Sequence, residues 1–102
     1  MPYFLCRLTP PRVTFAVDMS DDEKALMQTH AAWWLDQIAK GVALLFGPVL
    51  DPEGPWGLGI VEVDDESKAR ALAAGDPVIK AAIGFTYDVL PMQIGAIRGA
   101  KT

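Results

Sequence analysis

The chain has 102 residues, of which 51% are hydrophobic and 22% charged, with a formal net charge of −4. That balance describes one ordinary globular domain and excludes a disordered or fibrous segment; the acidic charge, with no Lys/Arg cluster, argues against a nucleic-acid partner. No run of about 18 apolar residues is present to cross a bilayer, and a lone cysteine, Cys6, cannot form an internal disulfide.

We therefore expect a cytoplasmic protein with no membrane partner and with Cys6 buried in packing. A domain this small hides only about two thirds of the surface its unfolded chain exposes, so burial completed against a second copy is expected.

Tyr3-Phe4-Leu5-Cys6-Arg7-Leu8 is rich in aromatic and branched residues and meets Thr9-Pro10-Pro11, which predicts a first strand and a breaker, followed by a loop to about Met19. Ser20-Asp21-Asp22-Glu23 has the form of a capping box and opens a long helix that ends at Lys40-Gly41. Val42-Ala43-Leu44-Leu45-Phe46 is apolar at both parities, the pattern of a central strand covered on both faces, with Gly47-Pro48 as its kink or exit. Asp51-Pro52-Glu53-Gly54-Pro55 is turn chemistry. It leads into a strand, Trp56 to Val63, that sets Trp56, Leu58 and Ile60 on one side and Gly57, Gly59 and Val61 on the other. Asp64 and Asp65 cap a second helix, Glu66 to Ala74, closed by Gly75. Asp76-Pro77 starts a further helical turn, and Phe85 to Met92 alternates as a last strand, with Pro91 tolerable at an edge.

The order strand, helix, hairpin, helix, strand predicts an α+β fold, the ferredoxin-like βαββαβ unit with an antiparallel sheet and both helices on one face. The domain spans residues 1–94, and 95–102 form a tail expected to lack order without a partner. The face opposite the helices is bare, so we expect a homodimer through that open face, with sites along the seam.

His30, the only histidine, carries the functional question. On the helix, Met27, Ala31, Trp34 and Ile38 make an apolar stripe at about 100° per residue, and His30 falls about 60° to 80° from its centre. An imidazole on that shoulder, if the fold brings it to the Asp76 carboxylate, is a proton-transfer device, since a carboxylate fixes the tautomer of a ring that titrates near neutrality. Asp76 is equally explained as the cap of the turn that follows it. Trp33 and Trp34 are first of all packing residues. One His and one Cys in separate elements fall short of a metal site, and Gly57-Leu58-Gly59 lies within a strand, so neither metal nor nucleotide cofactor is expected.

Taken together and in order, Thr29-His30-Ala31-Ala32-Trp33, Phe46-Gly47-Pro48-Val49-Leu50-Asp51-Pro52-Glu53-Gly54 and Gly75-Asp76-Pro77-Val78 resemble the YCII-related (YciI-like) domain family. The resemblance covers about Tyr3 to Met92. It implies a dimeric α+β barrel with a histidine and an aspartate in acid/base roles, matching His30 and Asp76, and it makes Asp51 a polar residue of the turn. The chain departs from the family in the longer entry loop, Thr9 to Met19, and in the bulky Trp33-Trp34 pair, both of which bear on pocket shape. The expected function is acid/base catalysis of lyase or isomerase type by His30 and Asp76 on a small carbonyl or ring substrate, with Asp51 and Trp34 as substrate-binding candidates. The alternative is a non-catalytic dimeric module that binds a small hydrophobic ligand or a protein. A third reading gives the cavity to cofactor-free oxygen chemistry.

Overall fold

The computed structural model describes residues 2–99. The last three residues of the expected tail, 100–102, lie outside the described residues; Gly95 to Gly99 carry no helix or strand and are exposed. Four strands, β1 (Tyr3–Thr9), β2 (Ala43–Val49), β3 (Trp56–Glu62) and β4 (Thr86–Met92), and four helices, α1 (Phe15–Asp18), α2 (Asp21–Ala39), α3 (Glu66–Ala74) and α4 (Pro77–Lys80), follow the order β1-α1-α2-β2-β3-α3-α4-β4. The strands form one antiparallel sheet in the order β2-β3-β1-β4.

Local chemistry explains where each helix starts and stops. Ser20 Oγ accepts the Glu23 N–H at 3.1 Å while Glu23 Oε1 accepts the Ser20 N–H at 2.8 Å, so two of the orphan donors of α2 are met reciprocally. At its other end Gly41 takes φ 77°, and the Gly41 and Val42 N–H groups return to the Ile38 and Gln37 carbonyls at 3.0 Å, a Schellman closure. Asp65 caps α3 through the Lys68 N–H, and Asp76 caps α4 through the Val78 N–H with Pro77 at the first helical position.

The core lies on one face of the sheet. Phe4 and Cys6 of β1, Val61 of β3 and Val89 of β4 pack against Trp34 of α2 and Ala69 and Ala73 of α3. Leu8, Phe15, Val78 and Phe85 make a second cluster on the same side of β1. On the opposite face, Leu45 is 39% and Leu90 50% exposed, so one side of the sheet is open in the single chain. Among the described residues, no helix is long and apolar enough to cross a membrane.

Three expectations are corrected. The entry segment is not all loop, because Phe15 packs edge-on against Phe85 at 5.1 Å and anchors the short helix α1. Strand β2 is an edge strand, not a central one, and continues through Gly47-Pro48 to Val49. Its mixed apolar parity arises from the register shift between Ala43 and Leu45, and Pro48, which has no N–H to give a neighbour, suits an edge. Helix α2 is also turned from the predicted stripe. His30, Trp34 and Gln37 are its buried residues and Ile38 is exposed, so His30 lies in the middle of the inward face, not on its shoulder.

Candidate active site

His30 and Asp76, 46 residues apart, meet in the interior. The ring Nδ1 lies 2.9 Å from Asp76 Oδ1 and 2.8 Å from Oδ2. Asp76 is fully buried and His30 is 9% exposed. A buried carboxylate needs a full set of donors, and Asp76 has it: the Val78 N–H gives to Oδ1 at 3.0 Å, the Tyr87 O–H to Oδ2 at 2.6 Å, and His30 supplies the third donor. The cap and the carboxylate partner of the imidazole are thus the same group.

An ionised carboxylate only accepts, so the hydrogen-bond network assigns the ring proton to Nδ1 and leaves the lone pair on Nε2. That second nitrogen has no hydrogen-bond partner among the described residues. Since among the described residues no enclosed side-chain nitrogen or oxygen lacks a partner, Nε2 opens onto the space beside it.

That space is a cavity of about 160 Å³ between the sheet and helices α1 and α2. Phe15 and Met19 from the entry segment, Met27 and Trp34 from α2, and Phe46 and Trp56 from the hairpin give it apolar walls. His30 and Tyr87 bring the ionisable groups, and among the described residues no Lys, Arg, Asp or Glu side chain lines it. Asp76 reaches the cavity only through the groups it bonds. The volume is close to the roughly 150 Å³ known to accept one benzene ring.

Trp34 is placed by three contacts. Its ring fills a notch over Gly59, where an added Cβ would fall 2.3 Å from the indole, stacks on Phe46 at 6.0 Å and 16°, and gives its Nε1–H to the Tyr87 oxygen at 3.1 Å. Burial first, and then the bond to Asp76, push the Tyr87 phenol far above the usual tyrosine range, so it stays protonated. Cys6, buried in the core, has its thiol pushed up to about 11 by desolvation.

The remaining substrate-binding candidate, Asp51, is elsewhere. Its carboxylate accepts the Glu53 N–H at 2.9 Å and Trp56 Nε1–H at 3.2 Å, bonds that hold its pKa below the usual carboxylate range. It does not line the cavity; it fixes Trp56, which does. Sequence reasoning missed Tyr87 and Phe15. The signal for Tyr87 was its parity, since Phe85, just before β4, and Tyr87 and Val89 within it fall on one side of the segment, and Tyr87 pairs with the inward Leu8. Among the described residues, no three His, Cys, Asp or Glu side chains are grouped to hold a metal ion.

An antiparallel sheet covered on one face, with a carboxylate-held imidazole beside an apolar cavity, defines a small α+β protein with a buried His–Asp pair. Residues 1–93 match the YCII-related domain, and the chain belongs to that family. Its fold is similar to that of 5-chloro-2-hydroxyhydroquinone dehydrochlorinase (TftG) from Burkholderia phenoliruptrix AC1100, solved in complex with 2,5-dihydroxybenzoquinone. That likeness has a TM-score of 0.65 at 18% identity and covers 93% of this chain and 96% of that one. None of the curated proteins matches the chain.

Proposed function

We propose that this protein is an acid/base enzyme of lyase or isomerase type acting on a small cyclic substrate that bears carbonyl or hydroxyl groups. One observation carries the reading: an imidazole held by a fully buried carboxylate turns its unpartnered nitrogen onto a cavity sized for one ring. In this reading the substrate ring lies against Trp34 and Phe46. Neutral His30 takes a proton at Nε2 from a C–H or O–H of the substrate, and Asp76 stabilises the imidazolium through Nδ1–H. The same nitrogen then returns the proton to another atom of the ring in an isomerisation. In an elimination the electron pair of the broken bond expels the leaving group instead. TftG, of like fold, is named for a dehydrochlorination, a reaction of this class, and its complex holds a single six-membered ring.

The strand order β2-β3-β1-β4 with helices on one face supports the ferredoxin-like arrangement, and the exposed Leu45 and Leu90 of the other face support pairing of two chains, which sedimentation velocity tests. A lone buried thiol fits a cytoplasmic setting. The catalytic reading is tested in D₂O with a panel of one-ring hydroxyquinones and cyclic diketones, by following ring-proton exchange together with chloride release from 5-chloro-2-hydroxyhydroquinone. The expected result is exchange or release above the uncatalysed rate, lowered roughly 10²–10⁴-fold in folded His30→Ala. If no member of the panel reacts in a His30-dependent way, the enzyme reading fails.

A further inference from the structure

We propose that Tyr87 is the positioning residue of this site: its hydroxyl, aimed by Trp34, takes up part of the Asp76 charge and so sets how tightly the pair holds a proton on His30. The functional meaning rests on the acid/base reading above, while the content rests on hydrogen-bond geometry alone.

The Tyr87 O–H to Asp76 bond, at 2.6 Å, is the shortest on that carboxylate; the others run from 2.8 to 3.0 Å. Its direction is enforced. Trp34 Nε1–H occupies the phenol oxygen as donor at 3.1 Å, so the Tyr87 proton is left for Asp76. Trp34 has no freedom to release it, being seated over Gly59 and against Phe46.

A charge-assisted bond of this length draws negative charge toward the phenol. Without it, that charge falls on the His30 Nδ1–H, and the imidazolium is favoured over the neutral ring. A base that keeps its proton too well works poorly near neutrality, so Tyr87 tunes the pair toward the neutral imidazole. Few other groups bear on the balance. Cys6 on β1 faces the phenol and stays a neutral thiol, α2 contributes His30, the α3–α4 junction contributes Asp76, and α1, β2 and β3 bring no charged side chain to the cavity.

The test uses the fact that His30 is the only histidine, so in the tag-free protein its NMR ring signals identify themselves. In Tyr87→Phe, which keeps the ring and deletes the donor, the Nδ1–H signal is expected to move downfield. The Cε1–H titration midpoint is expected to move to higher pH than in the parent. Trp34→Phe, which frees the hydroxyl to turn away, is expected to shift both in the same direction by less. Unchanged signals in Tyr87→Phe, or a midpoint moved to lower pH, would overturn the assignment. Should Tyr87→Phe fail to fold, Tyr3→Phe leaves Tyr87 as the only tyrosine. The phenolate ultraviolet band is then expected to stay absent until the fold is lost at high pH, and its appearance in the folded protein near pH ~10 counts against the proposal. No substrate enters these measurements, so a positive NMR result beside a negative exchange assay removes the enzyme reading and leaves the role of Tyr87 standing.

Discussion

Replacing Asp76 by Asn removes a charge from the interior while keeping the side chain's shape, and the structure gives the cost. Three donors converge on the carboxylate, from Val78, Tyr87 and His30. An asparagine oxygen can still accept from Val78 and preserve the cap of α4, so the helix start is held constant. The amide nitrogen then lies where Oδ2 accepted from Tyr87 and His30, and it can only donate. Tyr87 can accept from it, but its own proton then has no acceptor, since its oxygen already takes the Trp34 N–H. His30 keeps one acceptor, the amide oxygen at the Oδ1 position 2.9 Å from Nδ1, but loses the closer Oδ2 and the negative charge behind both. One unmet buried donor costs about 1–3 kcal/mol, and the lost charge-assisted bonds add to it, for about 2–4 kcal/mol in all. For a domain of this size that lowers Tm by roughly 10–25 °C, which thermal and urea unfolding followed by circular dichroism will measure. The prediction has a second half: the variant that survives folding has no carboxylate charge to stabilise the imidazolium, so proton exchange on any substrate falls with it. A Tm within about 2 °C of the parent would refute this reasoning, because it would mean that the carboxylate charge holds nothing that a neutral amide cannot.

Gly59→Ala is expected to cost about 1–3 kcal/mol by overpacking, since its Cβ would sit 2.3 Å from the Trp34 ring; an unchanged near-ultraviolet dichroism spectrum would show that Trp34 does not depend on the notch. The acid limb of stability is expected to depend on Arg12, which grips Glu23 with two bonds of 2.8 Å and Asp18 with one of 2.8 Å. The Arg12 bonds first, then the Ser20 N–H, hold the Glu23 pKa down from 4.5 to about 2. With the folded value below the unfolded one, the Glu23 contribution is complete above about pH 4.5 and is lost as pH falls toward 2. Arg12→Gln therefore flattens unfolding midpoints across that window, and an acid limb as steep as the parent's would exclude the clamp as its cause.

Local stereochemistry was legible in the chain and long-range geometry was not, and the division falls where the physics places it. Ser20 and Glu23, Gly41, Asp65 and Asp76-Pro77 act within a few residues of themselves, so spacing alone placed the ends of three helices, and they form as read. The alternation of Gly57, Gly59 and Val61 against Trp56, Leu58 and Ile60 likewise divided β3 into two sides, but which side faces the core was left open, and the structure puts the glycines and Val61 inward. The rotation of α2 was a different problem. Counting apolar residues set the buried stripe on Met27, Ala31, Trp34 and Ile38 because His30 and Gln37 scored as polar, yet burial depends on whether a polar group finds its partners, not on its polarity alone. His30 finds Asp76, which in turn satisfies Tyr87 and a backbone amide, so the group is self-sufficient and can occupy the centre of the inward face. The edge position of β2 escaped for a similar reason, since strand order follows from which partners β1 takes, and nothing in Val42 to Phe46 records that choice. Tyr87 shows what would have been needed. Its parity on β4 was visible, but its meaning depended on knowing that Asp76 lies inside with an acceptor to spare, and that follows only once the sheet is assembled. Buried polar residues whose partners come from other elements are therefore the positions where a sequence pattern fails and where a site is to be sought.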